Sequence, residues 1–278
     1  MRSKSVLISF FLVYLSCFEE NHLYAATSSE DTTRLKRKDT FVVSLDFMSS
    51  AIYSGRNYGV EQIGLNPSVM YNHKSGLTFS LYSYGMGKTQ GLITLTDLGV
   101  SFKFRLTPKL TITPGYDYLY NRMESNQVLF NALTLGIGLN LRIFSISNFM
   151  GFSFGGGMSS WYEELSLSKH INLFYREKAS LAISPTIVGI MGTKFSQTLI
   201  YNGEIDTTTS IDSYDFLPLC IGLQLPVTLT YRSFSLTISP HYDIPLNIVR
   251  PLEYSLPGNP FYVTCKLSYT LSFKNNKH

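Results

Sequence analysis

Leu133 to Ile143 reads LTLGIGLNLRI, with Leu133, Leu135, Ile137, Leu139, Leu141 and Ile143 alternating with Thr134, Gly136, Gly138, Asn140 and Arg142. Successive side chains of a β-strand point to opposite faces, so this stretch has one continuous apolar face and one small or polar face. The same period of two recurs outward from it in both directions. Phe41, Val43, Leu45 and Phe47 alternate with Ser44 and Asp46. Val100, Phe102, Phe104 and Leu106 alternate with Ser101, Lys103 and Arg105, and Leu217 to Leu229 keeps leucine, isoleucine or valine at odd numbers. Several of these runs far exceed the ~5–6 residues of a strand in a soluble protein. A tilted strand that crosses lipid needs ~9–11 residues. The pattern therefore predicts an all-β chain, a transmembrane antiparallel up-and-down β-barrel.

Composition agrees. Charged residues are 15% of the 278, Tyr and Phe number 19 each and Gly 20, yet the mean hydropathy is only +0.06. A helical membrane protein is more apolar, whereas a barrel is apolar on one face only. Ile143 to Trp161 carries no charge but holds Gly151 and Gly155 to Gly157, and Phe216 to Tyr231 holds Pro218 and Pro226, so neither reads as a helix. The formal net charge of +4 gives no reason to expect nucleic acid. Arg34, Lys36, Arg37 and Lys38 read as a solvated linker.

The first residues resemble an export signal, with Arg2 and Lys4 ahead of the apolar run Val6 to Ser16 and small residues at Ala25 and Ala26. Leu15-Ser16-Cys17 also resembles a lipoprotein cleavage box, apart from Tyr14. The expected organisation is a signal peptide over 1–26, a polar periplasmic segment over 27–39, the barrel over 40–273 and a tail over 274–278.

Polar, glycine- and proline-containing breaks divide the barrel region into twelve strands, near 40–53, 62–72, 77–87, 93–106, 110–121, 129–143, 146–159, 165–175, 179–196, 213–230, 234–246 and 261–273. Segment 165–175 is interrupted by Lys169, and ten strands is the alternative. Short breaks alternate with longer ones near 54–61, 88–92, 122–128, 160–164, 201–213 and 247–260. That alternation predicts periplasmic turns, external loops and both termini in the periplasm. Aromatics gather near strand ends at Tyr116, Tyr118, Tyr120, Trp161, Tyr162, Tyr201, Tyr214, Phe261 and Tyr262, as expected at a water–lipid boundary. Cys220 and Cys265 fall on opposite faces of non-adjacent strands, so two free thiols are expected.

The last strand, FYVTCKLSYTLSF over residues 261–273, resembles the terminal strand of bacterial outer-membrane β-barrel proteins, with an apolar alternation ending in an aromatic. Here Phe273 is followed by Lys274 to His278, a departure from the family's terminal aromatic. Ala182-Ile183-Ser184-Pro185 and Leu236-Thr237-Ile238-Ser239-Pro240 are similar to segments of uncharacterised barrels of Gram-negative bacteria. The resemblance implies an integral outer-membrane protein in contact with lipid and recognised by the barrel-insertion machinery through its last strand. It brings no catalytic residues.

Parity assigns Asp46, Asp97, Lys103, Arg105, Asp117, Asn140, Arg142, Lys194, His241 and Asp243 to the lumen. Charges of both signs there either fill the barrel as paired networks or line a path for small solutes. Ser239, His241 and Asp243 share one strand face, but neighbours two apart on a strand are ~7 Å apart, too far for a relay without bending. Gly155 to Gly157 is expected within a strand, beside a bulky neighbour. Glu204, Asp206 and Asp212 read as a solvated loop. Neither a metal site nor a cofactor is expected. Three readings follow: a small-solute channel or transporter with a mixed-charge lumen; a plugged structural or adhesion barrel acting through extracellular loops; and an outer-membrane hydrolase.

Overall fold

The computed structural model describes residues 38–49, 52–53, 56–57, 64–86, 95–122, 127–155, 158–201, 208–246 and 261–273. Twelve antiparallel strands close into one barrel. They are β1 (Thr40–Met48), β2 (Gly64–Asn72), β3 (Leu77–Met86), β4 (Leu95–Phe102, resuming at Phe104–Arg105), β5 (Leu110–Arg122) and β6 (Gln127–Asn140). The second half comprises β7 (Ser145–Gly155), β8 (Met158–Ser168 and Ile171–Arg176), β9 (Ala179–Ile183 and Thr186–Tyr201), β10 (Thr208–Gln224 and Val227–Tyr231), β11 (Phe234–Pro245) and β12 (Phe261–Ser272). Each strand pairs with the next, and β1 pairs with β12 from Thr40↔Ser272 to Met48↔Thr264. Closure leaves no edge strand, which is what a sheet needs in a solvent that cannot hydrogen-bond.

The gaps in β8, β9 and β10 are effects of proline within continuous strands. Tyr162↔Gly192 and Ile171↔Ile183 keep one register between β8 and β9 across the gap. Thr186↔Gln224 and Ala179↔Tyr231 do the same between β9 and β10. Proline has no N–H to donate to the ladder. Its carbonyl still accepts: Lys169 N–H donates to Pro185 at 3.1 Å, Ser184 N–H to Pro226 at 2.9 Å, and Leu225 N–H to Pro240 at 3.1 Å. Three prolines thus line up across neighbouring strands, and the sheet runs through them. The segment around Lys169 is part of β8.

Two expectations fail. The break expected at 160–164 is strand, and the turn lies at the glycine triplet, where Gly155 pairs with Met158. Gly155 has φ 134°, and an added Cβ would lie 2.6 Å from the carbonyl oxygen of Leu129. Glycine is the residue that fits such a hairpin end. The second failure is in β10. Ile190 opposes Cys220 but Met191 opposes Pro218, so Leu219 is an extra residue in a β-bulge. The bulge reverses parity: Leu219 turns inward beside Cys220, both buried, while Phe216 and Ile221 face out. Leu217 and Leu219 therefore do not share the face of Leu223.

The barrel is apolar outside and polar inside. Val43, Leu45 and Phe47 on β1 are exposed, whereas Ser44 and Asp46 between them are buried. Leu165 and Leu167 are exposed around buried Glu164, Ser166 and Ser168, and Ile238 and Tyr242 around buried Ser239, His241 and Asp243. Trp161 and Phe261 face outward, with Trp161 against Phe152 at 4.7 Å. Tyr162 and Tyr262, grouped with them in the sequence, face the interior.

The two ends of the barrel differ. One carries the connections 73–76, 106–109, 141–144, 177–178 and 232–233, together with the outer ends of β1 and β12. The other carries 49–63, 87–94, 123–126, 156–157, 202–207 and 246–260. A two-stranded hairpin, Ile52–Tyr53 with Arg56–Asn57, lies in the first of these. The signal region, the tail, Glu204 and Asp206 lie outside the described residues. Cys220 and Cys265 are not joined in a disulfide, as expected.

Candidate functional site: the barrel interior

On β1, Asp46 opposes Lys266 of β12 and Asn66 of β2. The register places the two charges side by side on the inner face, and Lys266 Nζ lies 3.1 Å from Asp46 Oδ2. The strands meeting at the closing seam are thus tied by an ion pair. Beside it, the Ser44 and Ser68 hydroxyls are 2.6 Å apart, joining β1 to β2.

Further round the wall, Asp97 of β4 opposes Tyr82 of β3, and Gly99 opposes Asp117 of β5. An added Cβ on Gly99 would collide with Ser80 Oγ and lie 2.5 Å from Asp117 Oδ1. The missing side chain therefore lets the Asp117 carboxylate lie over β4 towards Ser80. Asp97 and Asp117 interact electrostatically there. Tyr82 lies within electrostatic reach of Asp46, Asp97 and Asp117. Asp97 is 4% exposed, and its Oδ1 has no hydrogen-bond partner.

The rest of the inner wall carries Glu164, Gln224, His241 and Asp243, all buried. Tyr162 Oη donates to Glu164 Oε2 at 3.1 Å, and the Tyr162 ring packs on Phe149. The His241 ring stacks on Tyr262 at 4.5 Å, and its Nε2 is hydrogen-bonded to Thr264 Oγ1 at 3.1 Å. Ser239 Oγ has no hydrogen-bond partner, so Ser239 and His241 do not form a nucleophile–base pair. Among the described residues no group of three or more His, Cys, Asp or Glu is arranged to hold a metal ion.

Several of the inward carboxylates lie towards one end of the barrel. Asp46 lies near the end of β1 at Met48, Asp97 near the start of β4 at Leu95, and Asp243 near the end of β11 at Pro245. All three ends carry the long connections. Lys103 is half-buried at the other end, its N–H donating to Gly76 in the β2–β3 turn at 2.9 Å. Arg105, Asn140 and Arg142 are also at that end and are exposed. Lys194 lies on β9 opposite Asp215, and its side chain is outside the described residues.

Sequence reasoning missed Glu164, Tyr162, Tyr82, Gln224 and Lys266. Lys266 was legible, since it shares parity with Thr264 and Ser268. Glu164 was hidden by the break expected at 160–164.

No protein-family model and no curated protein matches the chain. Among solved structures the chain is similar to the KdgM porin at 9% identity, with a TM-score of 0.48 over 84% of this chain and 99% of that one. It is similar to the NanC porin at 10% identity, TM-score 0.46, over 84% and 99%. LpxR from Salmonella typhimurium matches at 8% identity, TM-score 0.42, over 83% and 99%.

Proposed function

We propose that this chain is an integral outer-membrane barrel, with its termini in the periplasm, that passes small solutes and favours cations. The carrying observation is the inside-out distribution of side chains. Large apolar side chains are exposed on ten of the twelve strands among the described residues, far beyond what a soluble monomer shows, and a lipid-facing belt of ~25 Å explains it. Short connections at the end that holds Thr40 and Ser272 support the orientation.

Cation preference follows from the interior. Asp46, Asp97, Glu164 and Asp243 are buried on the inner face, Asp117 lies over Gly99 beside them, and Lys266 on the same face is held by Asp46. Carboxylates around a narrow aqueous path attract cations and repel anions. The reading gives His241 no catalytic role. In planar bilayers under a KCl gradient, the purified protein should conduct with a reversal potential on the cation side. Asp97→Asn with Asp117→Asn should move that potential towards zero. A folded barrel without conductance, or an anion-selective one, would overturn the reading.

A second reading, an interaction barrel working through its external parts, is supported by the β9–β10 hairpin. Beyond Gly192 the described residues of β9 continue their strand pairing with β10, running to Tyr201↔Thr208. This ribbon extends past the last β8 partner, Tyr162. Removing residues 196–213 should then abolish surface binding without unfolding the barrel. Residues 247–260 are the other contact this reading names.

A further inference from the structure

The connections at the turn end carry a charge pattern that the solute path does not use. Lys74 lies in the β2–β3 turn, Lys109 between β4 and β5, and Arg142 between β6 and β7. The β8–β9 hairpin adds Arg176 and Lys178, and the β10–β11 hairpin adds Arg232; all are exposed. Opposing them, the described acids at this end are Asp39 and Glu177. Asp39 is already engaged, accepting the Lys74 backbone N–H at 2.8 Å.

We infer that this basic rim holds the anionic phospholipid headgroups of the leaflet at the turn end. The inference rests on the barrel being membrane-embedded. Three observations choose lipid over a soluble partner. First, the cations occur at every hairpin of this end, hence all round the circumference. A surface that surrounds the barrel meets them all, whereas a compact partner meets one sector. Second, they adjoin exposed apolar side chains of the same connections: Leu106 beside Lys109, Ile143 beside Arg142, and Tyr231 beside Arg232. The Arg232 guanidinium lies 5.4 Å from the Tyr231 ring centre, an arrangement that suits a boundary between hydrocarbon and charge. Third, Lys169 follows Leu165 and Leu167 on the outward face of β8 and is exposed. A lysine there reaches water by running its stem along the barrel to the headgroup level. An anionic solute bound for the lumen would instead meet carboxylates.

The test uses the purified protein in phosphatidylcholine bilayers containing trace spin-labelled phosphatidylglycerol or phosphatidylcholine. The read-out is the fraction of label immobilised at the protein surface. One basic side chain near an anionic headgroup is worth up to about fivefold in local association. Averaged over the annulus, phosphatidylglycerol should be preferred by at least about twofold. The preference should vanish in 1 M salt, where screening reaches ~3 Å. It should also fall in the variant combining Lys74→Gln, Lys109→Gln, Arg142→Gln and Lys178→Gln, with folding checked by heat-modifiable migration. No preference, a salt-independent one, or one unchanged in the variant would overturn the inference while leaving the membrane barrel intact. If the protein fails to float with vesicles at all, the membrane reading falls and takes this inference with it.

Discussion

Replacing Lys266 with methionine tests the seam and the lumen together. Lys266 and Asp46 are 3.1 Å apart, with side chains 13% and 6% exposed. At that distance the gross attraction is about 5 kcal/mol at an effective dielectric of 20. Desolvation of both groups offsets much of it, so the pair itself adds little net stability. Removing one partner is different, because the other stays buried without compensation, at a cost of about 3–5 kcal/mol. Water in a lumen relieves part of that, so Lys266→Met should destabilise by about 3 kcal/mol. Asp46 would also be left within electrostatic reach of Tyr82, in an environment already holding Asp97 and Asp117. Adding Asp46→Asn removes the stranded charge and should restore stability to within about 1 kcal/mol of the native protein. Urea titration in lipid vesicles, with the folded fraction read by heat-modifiable migration, measures both. A loss below about 0.5 kcal/mol for Lys266→Met would refute the reasoning, since that is how an exposed pair behaves. So would a double variant no more stable than the single. Where Lys266→Met remains folded, its channel should be more cation-selective.

Leu133, 53% exposed on the outer face of β6, should tolerate alanine far better than arginine. Leu133→Arg should cost about 2–4 kcal/mol in lipid by the same titration, and little change would contradict a lipid-facing β6. Gly155→Ala should cost about 2–3 kcal/mol, because φ is 134° and the new Cβ would meet the Leu129 carbonyl at 2.6 Å. A neutral result would place the β7–β8 turn elsewhere. Arg232 has φ 54°, so Arg232→Gly should stabilise by up to about 1 kcal/mol in thermal melts, and destabilisation would show that its side-chain contacts outweigh the backbone strain.

Legibility differed from strand to strand for identifiable reasons. The outward faces of β1, β6 and β12 were readable residue by residue, because Phe41 to Phe47, Leu133 to Leu139 and Phe261 to Phe273 alternate without a fault. β8 was harder. Ser159, Ser160, Glu163 and Glu164 are residues that also suit loops, and Gly155 to Gly157 suits either a turn or a crowded strand. Local composition does not choose between those; pairing of Met158 with Gly155 and of Ser168 with Ser145 does. In β10 the alternation ran through the bulge without a mark, because leucine occurs at 217 and 219 on one side of it and at 223 on the other.

By itself, the sequence determined the class of structure. A period of two is a property of neighbouring residues, and it dictates amphipathic strands whatever they pair with. It also determined that Asp46, Asp97, Asp117, His241 and Asp243 share the polar face. How those groups are arranged depended on strand stagger and closure, which join residues far apart in the chain. Only the tertiary structure set Asp46 against Lys266 across the seam, brought Asp117 over Gly99 and turned Leu219 inward. The charges of both signs that parity assigns to the inner face include a pair the sequence does not show, Asp46 with Lys266. Parity gives the face of a residue, whereas its height in the barrel comes from the register.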